Sequence, residues 1–412
     1  MGYSSSRRRR GGGGRSRRSG GYSGGRSRSS SRNSRGRARG GGSFGQYIDP
    51  KRFIKAAKPV EEVIYEPQHT FNDFAINDTL KQNLHAKGYL EPTQIQDKAI
   101  PVGLEGHDIV GIANTGTGKT AAFLIPLLER LMKNPNEKAL IVAPTRELAG
   151  QIVQECRAFS AGSRIFDVLL IGGVNIGPQL RDLKKNPRVI IGTPGRIKDH
   201  MERRTLKLDR VSTIVLDEVD RMLDMGFIHD IREILSHLPQ NRQSLFFSAT
   251  MSPTIEGLIR TFTADPVKIM ARTAETSDNV EQSIIHYFED EDRIDKLHDL
   301  LITDPVQRVI IFCDTKRSTD RLTRELNTRG FRADSMHGDK SQGQRQRALK
   351  KFKASQVDIL VATDVAARGI DVDGVTHVIN HDVPQTYDDY THRIGRTGRA
   401  GTKGYAVTFI TH

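Results

Sequence analysis

Cysteine is nearly absent: Cys156 and Cys313 are the only two in 412 residues, too few and too far apart for a disulfide framework or a zinc-ligand set. A reducing, intracellular compartment is the simplest setting for such a chain. Long apolar runs are also missing, since stretches such as Ile109 to Ile112 and Val309 to Phe312 fall far short of the roughly 20 residues a membrane-spanning helix needs. No membrane span is expected. The first 48 residues contain no lysine, aspartate or glutamate but thirteen arginines, so nearly all of the formal net charge of +14 belongs to them and the remainder is close to neutral. No apolar stretch comes after Arg7 to Arg10, which excludes an export signal built on those paired arginines. His69, His85, His107, His229 and His381 share no ligand spacing.

The length suits two globular units and a tail. Residues 1–48 are the tail. Up to Gly45 they are almost entirely Gly, Ser and Arg, with Tyr3, Tyr22 and Phe44 as the aromatics, and such a composition cannot bury a core that offsets chain entropy. Disorder is expected there. Unopposed arginines pair with phosphates, release counterions and stack on bases, so the tail reads as a sequence-tolerant tether for RNA, with protein as a second contact, against the alternative of a solubilising tail with no specific partner.

After a connecting segment, 49–69, short β-branched runs alternate with amphipathic stretches: His107 to Ile112, Ala139 to Ala143, Arg188 to Ile191, Thr213 to Leu216 and Ser244 to Phe247. The pattern pauses over 272–280 and resumes with Arg308 to Phe312, Asp358 to Ala362, His377 to Asn380 and Tyr405 to Ile410. Strands alternating with helices predict an α/β class with doubly wound parallel sheets in two domains, 70–271 and 281–412. Ligands of such sheets sit at the carboxyl ends of strands.

Ala113-Asn114-Thr115-Gly116-Thr117-Gly118-Lys119-Thr120 comes directly after one of those runs and precedes a helical stretch. Gly116 and Gly118 let backbone amides approach phosphate oxygens, Lys119 supplies charge, and Thr120 can ligate Mg2+. The spacing is that of a Walker A loop, with Ala113 standing where the strict pattern has glycine. A second apolar run delivers Asp217-Glu218-Val219-Asp220 to its end. Beside a phosphate loop, Asp217 is the candidate Mg2+ carboxylate and Glu218 the base for the attacking water, against the alternative of a solvated acidic turn.

From Phe71 to Gly401 these elements, in this order, resemble the DEAD-box RNA helicases of superfamily 2, which implies two tandem RecA-like domains. Gly88 to Gln96 is similar to that family's adenine-recognising Q motif, with Gln96 reading the base, Thr93 assisting near the phosphate loop and the upstream Phe71 stacking on adenine. Gln94 stands where a proline is common, and Val219 where the family name has alanine. The resemblance assigns RNA contacts to Thr145 and Arg146 in Pro144 to Ala149, to Gly173, to Thr193 and Arg196, and, in the second domain, to Gln342, Arg345 and Thr363. It assigns coupling to Ser248 and Thr250, the nucleotide ribose to Asp371, and the γ-phosphate to the arginine fingers Arg396 and Arg399 of His392 to Arg399.

The resemblance implies a motor that uses ATP and Mg2+, grips the RNA backbone with little sequence preference, and opens duplexes locally when its domains close on ATP. The motifs do not decide between a cytoplasmic bacterial-type enzyme and a nuclear one, the compact build favours the cytoplasmic one, and a monomeric motor is expected. An ATP-gated RNA clamp and a DNA-directed helicase of the same superfamily are the competing readings. The sequence stops at His412, soon after the strand beyond the last motif, so the second domain is either minimal or short of a C-terminal stretch.

Overall fold

In the computed structural model the described residues are 48–57, 65–114, 116–271, 279–302, 306–367, 372, 374–398 and 402–412. The expected disorder of the tail lies outside them but for Ile48. Seven parallel strands form the first sheet: β1 (Ile109–Ala113), β2 (Lys138–Val142), β3 (Asp167–Leu170), β4 (Val189–Gly192), β5 (Val211–Leu216), β6 (Gln243–Ser248) and β7 (Val267–Ala271), in the order β3-β4-β2-β5-β6-β1-β7. Six parallel strands form the second: β8 (Val280–Tyr287), β9 (Val309–Phe312), β10 (Ala333–Met336), β11 (Ile359–Ala362), β12 (His377–Asn380) and β13 (Gly404–Thr411), in the order β10-β11-β9-β12-β13-β8. The fold is therefore the predicted pair of doubly wound α/β domains.

Alternate residues of one strand enter opposite cores, as burial on both faces of a parallel sheet requires. Ile141, Val215 and Phe247 join one apolar cluster of the first domain, whereas their neighbours Leu140, Leu216 and Phe246 join the other. The second domain repeats the arrangement with Ile310, Leu360 and Val378 on one side and Ile311, Val361 and Ile379 on the other. Each domain buries one of the two thiols, Cys156 in the first and Cys313 in the second. No helix among the described residues is long and apolar enough to cross a membrane.

Two features depart from the sequence reading. Strands β3, β7, β8 and β10 were not anticipated, and each lies at a sheet edge. The described parts of the connecting segment are docked, not extended linkers. Phe53 is 1% exposed within the second-domain core, and Lys55 forms an antiparallel bridge to Gln282 on β8. Further along, Asp97 of the helix Gln94–Leu104 accepts hydrogen bonds from the Tyr65 hydroxyl (2.5 Å), the Gln68 amide (2.8 Å) and the His69 ring (2.7 Å).

Candidate active site

β1 ends at Ala113, and the next helix is Lys119–Lys133. The loop between them is tied to the start of the helix Gln94–Leu104. Thr93 Oγ1 donates to the Thr117 carbonyl (2.7 Å), and Gln96 Nε2 donates to the Gly118 carbonyl (3.1 Å) while its Oε1 accepts from the Thr93 amide (2.9 Å). Gly118 holds φ +92°, a conformation strained for any residue with a side chain, and a Cβ there would displace the Gln96 side-chain amide. The buried Lys119 ammonium donates to the Ala113 carbonyl (2.8 Å). That contact uses only the backbone of residue 113, while the Ala113 methyl is buried in the first-domain core. Thr115 lies outside the described residues.

Phe71, expected to stack on a base, is only 5% exposed. Phe74 and Tyr89 pack edge-on against it at 5.9 and 5.6 Å. Its ring belongs to the first-domain core.

β5 carries Asp217 out of the sheet, where its amide still donates to Val142 O (3.0 Å). Glu218 then adopts a left-handed conformation (φ +53°) and donates its own amide to Asp217 Oδ1 (3.0 Å). Both side chains are buried. Burial pushes the Asp217 carboxyl above its ordinary range, with Lys119 opposing and Glu218 adding to the rise. Burial acts the same way on Glu218, but the Arg221 guanidinium, with which it pairs directly, and Lys119 outweigh it and hold Glu218 well below its ordinary value. Asp220 faces the end of β6: it accepts from the Ala249 and Thr250 amides (2.9 Å each) and the Thr250 hydroxyl (3.2 Å), and its own amide donates to Ser248 Oγ (3.2 Å).

From the second domain comes Arg396, just beyond the helix Tyr387–Ile394. It is 4% exposed, and its charge is among those that lower Glu218. Three residues earlier, the fully buried Arg393 is fixed by a two-pronged pair with Asp364 (2.7 and 2.6 Å) and a bond to the Asp382 carbonyl (2.7 Å). Arg399 and Asp371 lie outside the described residues.

The domains also meet away from the phosphate loop. Glu147 pairs with Arg345 (2.8 Å) and accepts from Gln342 Nε2 (3.2 Å), all three buried. Next to it, the Arg146 guanidinium lies over Gly173, where any Cβ would collide with it. Thr145 caps its helix by accepting from the Leu148 amide (3.2 Å), Thr193 occupies the equivalent position before Pro194–Glu202, and Arg196 donates to the Val174 carbonyl (3.4 Å). Thr363, at the end of β11, is 9% exposed.

Residues 93–258 match the model of the DEAD/DEAH box helicase family, and 292–401 that of the helicase conserved C-terminal domain. The chain is 48% identical over 342 residues to the ATP-dependent RNA helicase CshA of Listeria monocytogenes, covering 82% of this chain and 66% of that one. It is 47% identical over 344 residues to the DEAD-box ATP-dependent RNA helicase CshA of Bacillus subtilis, covering 83% and 69%. The chain belongs to the DEAD-box helicase family. Among solved structures, S. cerevisiae Dbp5 bound to RNA and ADP BeF3 superposes with a TM-score of 0.74 at 29% identity, covering 83% of this chain and 90% of that one. A DEAD box protein from Methanococcus jannaschii, at 41% identity with 83% and 93% covered, gives 0.50.

The structure thus gathers Thr93, Gln96, Gly116, Thr117, Gly118, Lys119, Asp217 and Glu218 in the first domain of this DEAD-box protein, with Ser248 and Thr250 joined to the acidic turn through Asp220. Gln342 and Arg345, which the resemblance assigns to RNA, are engaged with Glu147. Sequence reasoning passed over Glu147, Asp220, Arg221 and Arg393, although the first, second and fourth stand inside the recognised motifs. The partners of Glu147, Asp220 and Arg393 are distant in sequence, so nothing local marked them, whereas Arg221 pairs with Glu218 only three residues before it. Arg345→Ala removes the buried partner of Glu147, and if the pair forms on domain closure it is expected to weaken RNA binding in the presence of ATP by about 30-fold, or ~2 kcal/mol. RNA titration with and without a non-hydrolysable ATP analogue checks this; equal loss in both conditions would count against a closed-state contact.

Proposed function

We propose that the chain is an ATP-dependent RNA helicase whose RNA-stimulated hydrolysis opens short duplexes or remodels RNA–protein complexes by closing and reopening its two domains. One observation carries the reading: Arg396 of the second domain is buried within electrostatic reach of Glu218 of the first. Lys119 and the amides of Gly116 to Thr120 hold the ATP phosphates, Lys119 exchanging the Ala113 carbonyl for a phosphate oxygen. Glu218 orients the attacking water and takes its proton. Arg396, with Arg399, meets the γ-phosphate, where a permanently charged planar fork suits the charge that spreads over its oxygens.

The residues fit Mg2+. Asp217 is a carboxylate that burial disfavours in its charged form, which a divalent cation would keep ionised, and Thr120 offers a hydroxyl one position after Lys119. When bound, the ion neutralises charge between the β- and γ-phosphates. Gln96 and Thr93, tied to the phosphate loop, transmit occupancy of the adenine site to the loop. Asp220, bonded to Ser248 and Thr250, transmits it to the end of β6.

Thr145, Arg146, Gly173, Thr193, Arg196 and Thr363 line up hydroxyls, glycine backbone and guanidinium groups suited to a sugar-phosphate backbone, not to base edges. Glu147, Arg345 and Gln342 act as the clasp of the closed state. RNA and ATP favour the same closed arrangement, so each raises the affinity for the other by the same factor. The arginine tail adds weak, sequence-tolerant RNA contacts, and the motor works as a cytoplasmic monomer.

Phosphate release measured without nucleic acid, with single-stranded RNA and with single-stranded DNA of the same sequence tests the assignment. At least tenfold stimulation by RNA and little by DNA is expected; equal stimulation by both would defeat the RNA preference.

A further inference from the structure

The helix Tyr387–Ile394 leads straight into Arg396, so its orientation sets where that guanidinium lies. Arg393 fixes one side of it to Asp364. Tyr390 and Tyr387, three and six residues before Arg393 and on the adjoining face of the helix, meet residues that precede the first domain in sequence. A single 3-10 turn, Pro50–Phe53, is started by Asp49, whose carboxylate accepts from the Lys51 amide (3.0 Å). It presents Phe53 to Tyr390, with ring centroids 4.7 Å apart, and lays the Arg52 guanidinium over the Tyr387 ring at 3.7 Å.

Two residues on, Lys55 and Gln282 exchange both backbone hydrogen bonds (3.0 and 2.8 Å), and the Gln282 side chain accepts from the Tyr390 hydroxyl (2.9 Å). Phe53, Lys55, Gln282 and Tyr390 therefore close a ring of contacts that joins β8 to the helix. Phe53 and Tyr390 are both fully buried, so the ring is a built part of the core and not a surface crossing.

We infer that Arg52 and Phe53 are positioning residues for the ATPase reaction: through Tyr387 and Tyr390 they set the pitch of the helix that delivers Arg396 to the seam. The inference rests on the reading of Arg396 given above. A guanidinium acting on a transition state loses most of its effect when displaced by about 1 Å, on the order of 100-fold in rate, so a modest loosening of the helix is enough to register. Binding of ATP is a different matter, because the phosphate loop and the Thr93–Gln96 turn belong to the other domain.

The test uses the full chain and compares Phe53→Ala, Phe53→Leu, Arg52→Ala and Arg396→Ala for kcat and KM(ATP) at saturating RNA, with thermal melting to verify folding. Phe53→Ala is expected to lower kcat at least tenfold with KM(ATP) within about twofold, Phe53→Leu to recover most of the loss by refilling the core, and Arg52→Ala to lower kcat about threefold. Should Phe53→Ala be unfolded at the assay temperature, Arg52→Ala, an exposed side chain, decides in its place. An unchanged kcat in the deciding variant, or a loss confined to KM, overturns the inference while Arg396→Ala still abolishes turnover. If Arg396→Ala itself leaves kcat unchanged, the arginine assignment fails and this inference with it.

Discussion

Arg396→Ala is expected to lower RNA-stimulated ATP turnover by about 10³-fold or more, with ATP affinity changed less than about threefold. The asymmetry comes from where the groups sit. Ground-state ATP is held by Lys119 and the amides of the loop after β1, all in the first domain, whereas Arg396 arrives from the second and acts when charge develops on the transferring phosphoryl group. Arg396→Lys should recover only a small part of the loss, because an ammonium is a compact point charge without the rigid planar fork that meets two phosphate oxygens in parallel. Single-turnover phosphate release at saturating RNA gives the rate, and displacement of a fluorescent ADP analogue gives the affinity. A loss that appears in affinity alone would reduce Arg396 to a binder of ground-state nucleotide.

Glu218→Gln should cost about 10³ in kcat, within the range for a positioned general base, and leave ATP and RNA binding intact. Glutamine keeps the shape and can still accept a hydrogen bond from water, but it cannot take the proton. With hydrolysis blocked and closure allowed, the variant should retain RNA in the presence of ATP far longer than wild type, which a chase with unlabelled RNA measures. The change also removes the anionic partner of the buried Arg221, so a melting temperature lower by a few degrees is expected. A variant that released RNA as fast as wild type would show that the carboxylate serves closure and not proton transfer.

How much of this was legible in the sequence depends on burial. Central strands such as β2, β9 and β11 are covered on both faces and carry unbroken apolar runs, Ala139 to Val142, Val309 to Phe312 and Ile359 to Ala362. β3, β7, β8 and β10 escaped notice because an edge strand has less to bury: β8 reads Val-Glu-Gln-Ser-Ile-Ile-His-Tyr, and its outward positions are polar or half exposed. The phosphate loop and the acidic turn were legible because their chemistry is local, glycines, a lysine and two carboxylates in short spans. Pairings between distant segments were not. Nothing about Glu147 announces Arg345 nearly two hundred residues later, nothing about Phe71 says that Phe74 and Tyr89 will close over it, and Pro50 to Phe53 looked like linker because four residues carry no period.

The two thiols have a use of their own. Burial pushes Cys156 up to about 12 and Cys313 higher still, so in the folded chain neither supplies the thiolate that alkylating reagents attack. Each becomes reactive only when its own surroundings come apart, and there is one in each lobe. Without any engineered label, the two alkylation rates therefore act as separate clocks, one for each half of the motor, and a ligand that steadies one half would slow one clock and leave the other running.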